Sequence, residues 1–324
     1  MTSSDPITTP FTAASTASDV LAGIDLRGLR AVVTGGSSGL GKETARALAA
    51  AGAEVVLAVR NVDAGTAVSD EIENAGAPIR PLVCSLDLSD QASVASFVHR
   101  WEGPLHLLIN NAGLVTGGLA RTAEGWELQF ATNHLGHFAL TTGLHKALAT
   151  GAAERGGSRI VSLSSTAHMR AGIDFDDLDF DHRAYDPQLA YAQAKTANSL
   201  LAVEATRLWA SEGIVANTVN PGGVATGLQR NFTAAQKTSL AAAEAAGVFT
   251  YKTIEQGAAT TIIAAVRPEF ARTGGHYLDD GQEAYTVHNE ANLADHPHGV
   301  KAWALDPVGA ERLWAVSTYL TRGL

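Results

Sequence analysis

The sequence predicts a doubly wound α/β fold, a parallel sheet covered by helices, formed as a single domain with a helical cap and a C-terminal extension. Three observations predict it. Short apolar runs alternate with helical stretches along most of the 324 residues. The runs are continuously apolar, as in strands buried on both faces. A glycine-rich turn directly follows the first run, and strict strand–helix alternation implies right-handed crossovers.

The elements follow in order. Residues 1–17, rich in Ser, Thr, Pro and Ala, are expected as a flexible arm. Ser18 and Asp19 are expected to cap a short helix reaching Ala22. The main domain then spans residues 18–281. Its strands are expected at Ala31–Val33, Val55–Val59, Ile79–Cys84, Leu105–Ile109, Arg159–Leu163, Ile214–Val219 and Gly275–Leu278. Between them lie helical patterns at Lys42–Ala51, Asp63–Asn74, Asp90–Trp101, Glu124–Leu148, Leu189–Ala210 and Ile254–Val266. Asp90 caps one helix, and Gly213 ends the long one before it. Residues 225–253 form the expected cap. Residues 282–324, with Trp303, Trp314 and an apolar spacing at Leu313, Ala315 and Leu320, form an extension that packs back on the domain.

Composition narrows the function. Hydrophobic residues make up 46% and charged residues 17%, enough for a sizeable core and too apolar for general disorder. The formal charge of −10 argues against a nucleic-acid partner but permits an anionic cofactor in a locally positive pocket. Cys84 stands alone, so no internal disulfide forms, and no Cys/His spacing suggests zinc. A small residue on a buried strand is its simplest role, in keeping with a cytoplasmic setting. The first nineteen residues lack a basic start and an apolar core, so neither a signal peptide nor a membrane anchor is expected. No run of ~18 apolar residues predicts a membrane span.

Thr34-Gly35-Gly36-Ser37-Ser38-Gly39-Leu40-Gly41 lies between the first strand and the first long helix. Glycines there let a pyrophosphate approach the backbone, and a helix start supplies free N–H groups and a favourable dipole. The spacing is G-x-x-x-G-x-G. An acidic residue ending the second strand would bind a ribose 2′-hydroxyl and repel a 2′-phosphate. Val59 stands there instead, followed by Arg60, which can pair a phosphate. NADP(H) is therefore favoured, with NAD(H) as the alternative.

Tyr191 and Lys195 are four apart and share a helix face. A tyrosine is a poor base near neutrality, but an ammonium and a cationic nicotinamide beside it favour the phenolate. Ser164 and Ser165 end the fifth strand upstream. The stretch between Ser165 and Tyr191 holds an acidic run, Asp174 to Asp181, without the glycine of a calcium loop; it reads as a solvated loop. His134 and His137, and His296 and His298, lack a third ligand at a familiar spacing, so no metal is expected.

Together these motifs resemble the short-chain dehydrogenase/reductase family, from about Ala22 to Asp280. Asn110-Asn111-Ala112-Gly113 resembles its N-N-A-G element and Asp87-Leu88 its adenine-contacting pair. Asn133-His134-Leu135-Gly136-His137-Phe138 resembles the retinol-dehydrogenase-like branch and the oxidoreductase domain of WW-domain oxidoreductases. The resemblance implies a Rossmann sheet and a catalytic set of Asn133, Ser165, Tyr191 and Lys195. Ser165, or alternatively Ser164, would orient the substrate oxygen. Lys195 would also hold the nicotinamide ribose, and Asn133 would hold a relay water. Cofactor contacts are implied at Gly35, Ser37, Ser38, Gly39, Leu40, Gly41, Arg60, Asp87, Leu88, Asn111, Ala112 and Gly113. They continue at Tyr191, Lys195 and the turn of Pro221, Gly222, Val224 and Thr226.

The expected reaction is reversible hydride transfer between NADP(H) and an alcohol/carbonyl pair. The substrate is expected to be a hydrophobic secondary alcohol or ketone, held between residues 169–189 and 225–253. Val115, Met169, Leu228, Phe232, Leu240 and Phe249 would line its pocket. Two other readings compete: C=C reduction of the protochlorophyllide-reductase type, and a nonenzymatic NADP(H) sensor. The helices around 124–148 and 189–210 are the faces on which such proteins form homodimers and homotetramers.

Overall fold

A computed structural model describes residues 5–227, 238, 241–242, 244–245 and 250–322. Eight strands form one sheet in the order β3-β2-β1-β4-β5-β6-β7-β8. They are β1 (Arg30–Thr34), β2 (Glu54–Val59), β3 (Leu82–Ser85), β4 (Leu107–Asn110), β5 (Ser158–Leu163), β6 (Ile214–Asn220), β7 (Tyr277–Asp279) and β8 (Gln282–Glu283). All neighbours run parallel except β7 and β8. Between β7 and β8, Asp280 and Gly281 both take positive φ, 48° and 80°, as a tight two-residue hairpin demands. The third strand begins at Leu82, later than the Ile79 expected, because Pro81 has no N–H to give a ladder.

Helices cover both faces. On one lie α1 (Ala17–Leu21), α2 (Gly39–Ala50), α3 (Val62–Asn74) and α9 (Ile254–Val266), closing a core around Val33, Leu48, Leu57, Ile109 and Ile262. On the other lie α4 (Gln91–His99), α6 (Gly136–Gly143), α7 (His145–Arg155) and α8 (Pro187–Trp209), around Leu105, Leu108, Leu140, Leu148 and Ile160. Strand order reverses between β1 and β4, which opens a crevice at their carboxyl ends, where such sheets bind ligands.

Three expectations change. The helix expected over 124–148 is broken into α5 (Leu128–Phe130), a π-helical turn (Ala131–Leu135), α6 and α7, with the chain bending at Leu144. Gly136 and Gly143 let it pack closely: a Cβ on the first would strike the Leu88 carbonyl, and one on the second would lie 2.7 Å from Val98. The first helix is capped by Thr16, not Ser18, because Thr16 and Asp19 form a reciprocal capping box. The segment expected as a flexible arm is tied along β8. The Ile7 and Thr9 N–H groups donate to Glu283 and Gln282, both at 2.8 Å, and Phe11 packs on the core.

The C-terminal segment adds a two-stranded sheet of β9 (Thr286–Val287) and β10 (Val300–Lys301), then α10 (Pro307–Thr321). Helix α10 lies along α8, with Trp314 edge-on to Phe138 and Trp209 at 5.0 and 5.2 Å. This α8 face, expected for self-association, is thus packed by the chain itself. Of the expected cap, Leu228, Phe232, Leu240 and Phe249 lie outside the described residues. Among the described residues, no helix is long and apolar enough to cross a membrane.

The His134–His137 pair binds neighbours within the fold. His134 Nε2 meets the Ser317 hydroxyl at 2.9 Å, and His137 Nε2 meets that of Thr34 at 2.9 Å. Burial pushes His134 down to about 3, and His137 and His168 down to about 4. Below about pH 6.5 the unfolded chain binds protons at these rings that the folded chain refuses. Stability is therefore full above about pH 6.5 and falls on acidification, by about 1.4 kcal/mol per pH unit for each ring. Urea unfolding should show a steep drop in midpoint from about pH 7 to about pH 5. Equal midpoints would contradict the buried neutral rings.

Candidate active site

The crevice is organised by Thr34 at the end of β1. Its hydroxyl oxygen accepts the N–H groups of Asn111 and Ala112, both at 2.9 Å. His137 Nδ1 lies 2.9 Å from the Asn133 carbonyl, which can only accept, so the ring proton sits on Nδ1. Nε2 is then the acceptor for the Thr34 O–H. One side chain thus joins the glycine turn, the turn after β4 and the first turn of α6.

The glycine turn is shaped for close approach. Gly35 and Gly39 have φ of +67° and +52°, which L side chains rarely adopt. A Cβ on Gly41 would collide with the Asn111 side chain and come within 2.5 Å of the Gly35 carbonyl oxygen. Ser38 caps α2 without using its side chain, which leaves the first amides of α2 to an anion. Thr226, from the turn after β6, lies over Gly39. Arg60 is exposed just past β2 and makes no ion pair among the described residues. Asp87 accepts from the N–H and hydroxyl of Ser89 at 2.9 and 2.6 Å, while Leu88 is buried. An open helix start, a cradle that any Cβ would fill and a nearby arginine fit a phosphorylated dinucleotide.

Helix α8 carries the candidate reacting groups Tyr191 and Lys195. Asp186 caps it and Pro187 opens it, which puts Tyr191 and Lys195 one turn apart. The Lys195 ammonium is buried, donates to the Leu163 carbonyl at 2.9 Å and lies 5.5 Å from the Tyr191 ring centre. Burial pushes Lys195 down to about 8. Burial also pushes Tyr191 up to about 12, opposed by a hydrogen bond from Ser165. The sequence led us to expect a lowered tyrosine. The ammonium is instead turned onto a carbonyl, and desolvation dominates.

The two serines part company. Ser164 is buried and donates to the Lys195 carbonyl at 2.8 Å. Ser165 is half-buried, begins a 3₁₀ turn (Thr166–Arg170) and faces Tyr191. Asn133 bridges the Leu114 backbone with both side-chain atoms, at 2.8 and 3.0 Å. A Cβ on Gly113 would lie 3.4 Å from the Asn133 Oδ1 and 3.6 Å from the Lys195 Nζ, so the three meet. Gly222, with φ +78°, is held by Asn220 at 3.3 Å.

The stretch between Ser165 and Tyr191 is stapled rather than merely solvated. Arg183 pairs with Asp174 at 2.8 Å, and Arg121 pairs with Asp181 at 2.7 Å. The Tyr185 hydroxyl donates to buried Glu127 at 2.9 Å and meets Thr116 at 2.9 Å. No sequence pattern links these residues, which lie 58 and 69 positions apart. Val115 and Met169, expected to line a pocket, are both buried, and Met169 packs on Val287 and Ala291 of the C-terminal segment. The one convergent set of metal-type ligands among the described residues, Asp279, Asp280 and His298, already holds a cation, since the Lys252 ammonium sits on Asp280.

Comparison with known proteins shows the family. A family model described as short chain dehydrogenase matches residues 30–237. A Streptomyces antibioticus protein named "Probable oxidoreductase" is 47% identical over 300 residues, 91% of this chain and 98% of that protein. The polyprenol dehydrogenase of Mus musculus is 37% identical over 296 residues, 90% of this chain and 83% of that protein. A solved short chain dehydrogenase from Burkholderia cenocepacia J2315, in complex with NADP, has a TM-score of 0.62. It shares 26% identity, covering 79% of this chain and 98% of that one.

Gly41→Ala should weaken dinucleotide binding at least about tenfold, because backbone stands in the way of its methyl group. Quenching of tryptophan fluorescence by NADPH would measure it. Unaltered affinity would show that the cofactor does not use this turn.

Proposed function

The chain belongs to the short-chain dehydrogenase/reductase family and is an NAD(P)-dependent oxidoreductase, and within that class we propose that it interconverts a hydrophobic secondary alcohol and its ketone with NADP(H). The observation that carries the reading is the meeting of Ser165, Tyr191 and Lys195 beside the glycine turn. A bound nicotinamide supplies or accepts the hydride. In reduction, the substrate oxygen would accept hydrogen bonds from the Ser165 and Tyr191 hydroxyls. Tyr191 then gives its proton as negative charge grows on that oxygen. A phenol pushed up to about 12 stays protonated at neutral pH and suits this role. The Lys195 ammonium, still charged near neutrality, would stabilise the phenolate left behind. We assign Asn133 to holding the Gly113–Leu114 turn over Lys195; its relay-water role would add to that.

The NADP preference draws support from Arg60 and from the absence of a carboxylate at the end of β2. The NADP complex of the Burkholderia protein points the same way. The polyprenol dehydrogenase relative supports an apolar alcohol. C=C reduction of the pigment type relies on cysteine chemistry, and Cys84 lies on β3 at the far edge of the sheet. In a homodimer or homotetramer built on the α8 face, α10 would either reinforce the contact or block it.

Tyr191→Phe should lower kcat about 10³-fold while NADPH still binds. Near-normal turnover would sink the assignment. Arg60→Asp should raise KM for NADPH at least about tenfold and favour NADH, because a carboxylate repels the 2′-phosphate. An unchanged NADPH/NADH ratio would assign the 2′-phosphate no contact there.

A further inference from the structure

We propose that His168 is a positioning residue for Ser165, and that the C-terminal segment sets its tautomer. The proposal rests on the oxidoreductase reading above. His168 is buried in the 3₁₀ turn that Ser165 begins. Its Nδ1 lies 2.8 Å from the Ser165 carbonyl oxygen, and its Nε2 lies 3.3 Å from the Lys301 main-chain nitrogen. A carbonyl only accepts and an amide N–H only donates, so both bonds form in one state alone: neutral, with the proton on Nδ1. The Nδ1–H ties the Ser165 backbone into the turn, and the Ser165 hydroxyl is thereby aimed at Tyr191.

The other contacts hold that state. The Tyr277 hydroxyl stands 3.1 Å from Nδ1, and its ring packs on the imidazole at 4.7 Å. The Trp303 indole N–H donates to the His168 carbonyl at 3.1 Å. The Lys301 ammonium, bound to the Asn289 and Ala291 carbonyls, opposes protonation of the ring. Lys301 and Trp303 both come from the C-terminal segment, so β10 and the turn after it act on the site through one imidazole. Around Tyr191 the other titratable groups are Lys195 and Tyr277, with Asp279 beyond Tyr277.

Asparagine and glutamine separate the two nitrogens. His168→Asn can place its amide N–H near the Nδ1 position, and His168→Gln near Nε2. In an alcohol-oxidation assay with NADP, His168→Asn should keep kcat within about threefold of wild type. His168→Gln should lose about tenfold in kcat with little change in cofactor KM. The looser Ser165 bond in His168→Gln should also leave the phenol harder to ionise, moving the pH midpoint of kcat/KM up by about half a unit. A merely destabilised protein would keep that midpoint. Equal behaviour of the two variants, or an unmoved midpoint in His168→Gln, overturns the proposal. Should His168→Gln fail to fold, Trp303→Phe decides: a fall in kcat of about twofold or more with the same upward midpoint shift supports the link, and wild-type values overturn it. A wild-type protein inactive on every alcohol would instead overturn the proposed function.

Discussion

The hydroxyl of Thr34 is the point on which the site depends. Three segments must meet where the strand order reverses: the glycine turn, the turn after β4 and the start of α6. Two backbone N–H groups from the turn after β4 converge on the Thr34 hydroxyl, that of Ala112 and that of Asn111, which also reaches the Ile109 carbonyl at 3.0 Å. Their shared acceptor is the side chain that ends β1. The same oxygen gives its proton to His137 in the first turn of α6. Registration of the glycine turn against Asn111 is completed by the Asn111 amide on the Thr34 carbonyl at 2.8 Å. The glycine turn and the proposed catalytic residues are therefore tied together through one hydroxyl.

Burial acts in opposite senses on the two groups of the tyrosine–lysine pair. It pushes the phenol up and the ammonium down, so desolvation alone would leave both neutral. The Ser165 hydrogen bond opposes the shift on the phenol, and the Leu163 carbonyl receives the ammonium. In the proposed reaction the pair would give up a proton as charge develops on a substrate oxygen, and a cationic nicotinamide ring would favour the reverse transfer.

Much of this was legible because it is local. Continuous apolar runs mark strands buried on both faces, and six of the seven both begin and end within two residues of the observed ones; the exception is the edge strand β3, which is exposed at both ends and leaves Cys84 half-buried. The i, i+4 relation of Tyr191 and Lys195 follows from helix geometry alone. The glycine turn was readable because a conformation with positive φ leaves a compositional trace at Gly35 and Gly39. The breaks between Trp126 and Arg155 left no such trace: helical periodicity runs through Leu144, and only the partners of Gly136 and Gly143 explain the packing. The acidic run was read in part: Asp176 and Asp181 stay exposed, but the sequence does not show Arg121 and Arg183 being brought to Asp181 and Asp174 by the fold. Ser164 and Ser165 are indistinguishable in sequence, and only the Lys195 carbonyl separates their roles.

The buried histidines show why low basicity is a structural requirement here. A neutral imidazole presents one donor and one acceptor across a rigid ring. It can therefore join a carbonyl to a hydroxyl or an amide, as His137 joins Asn133 to Thr34 and His168 joins Ser165 to Lys301. Protonation would turn the acceptor side into a second donor and set it against an N–H or O–H that is already donating. The cost of such a clash in a dry interior exceeds that of an ordinary missing hydrogen bond, because the new donor carries charge. Burial that forbids protonation is thus the same feature that makes each ring a usable link. Segments far apart in sequence are joined by it without a salt bridge, and the links persist only while the rings stay uncharged.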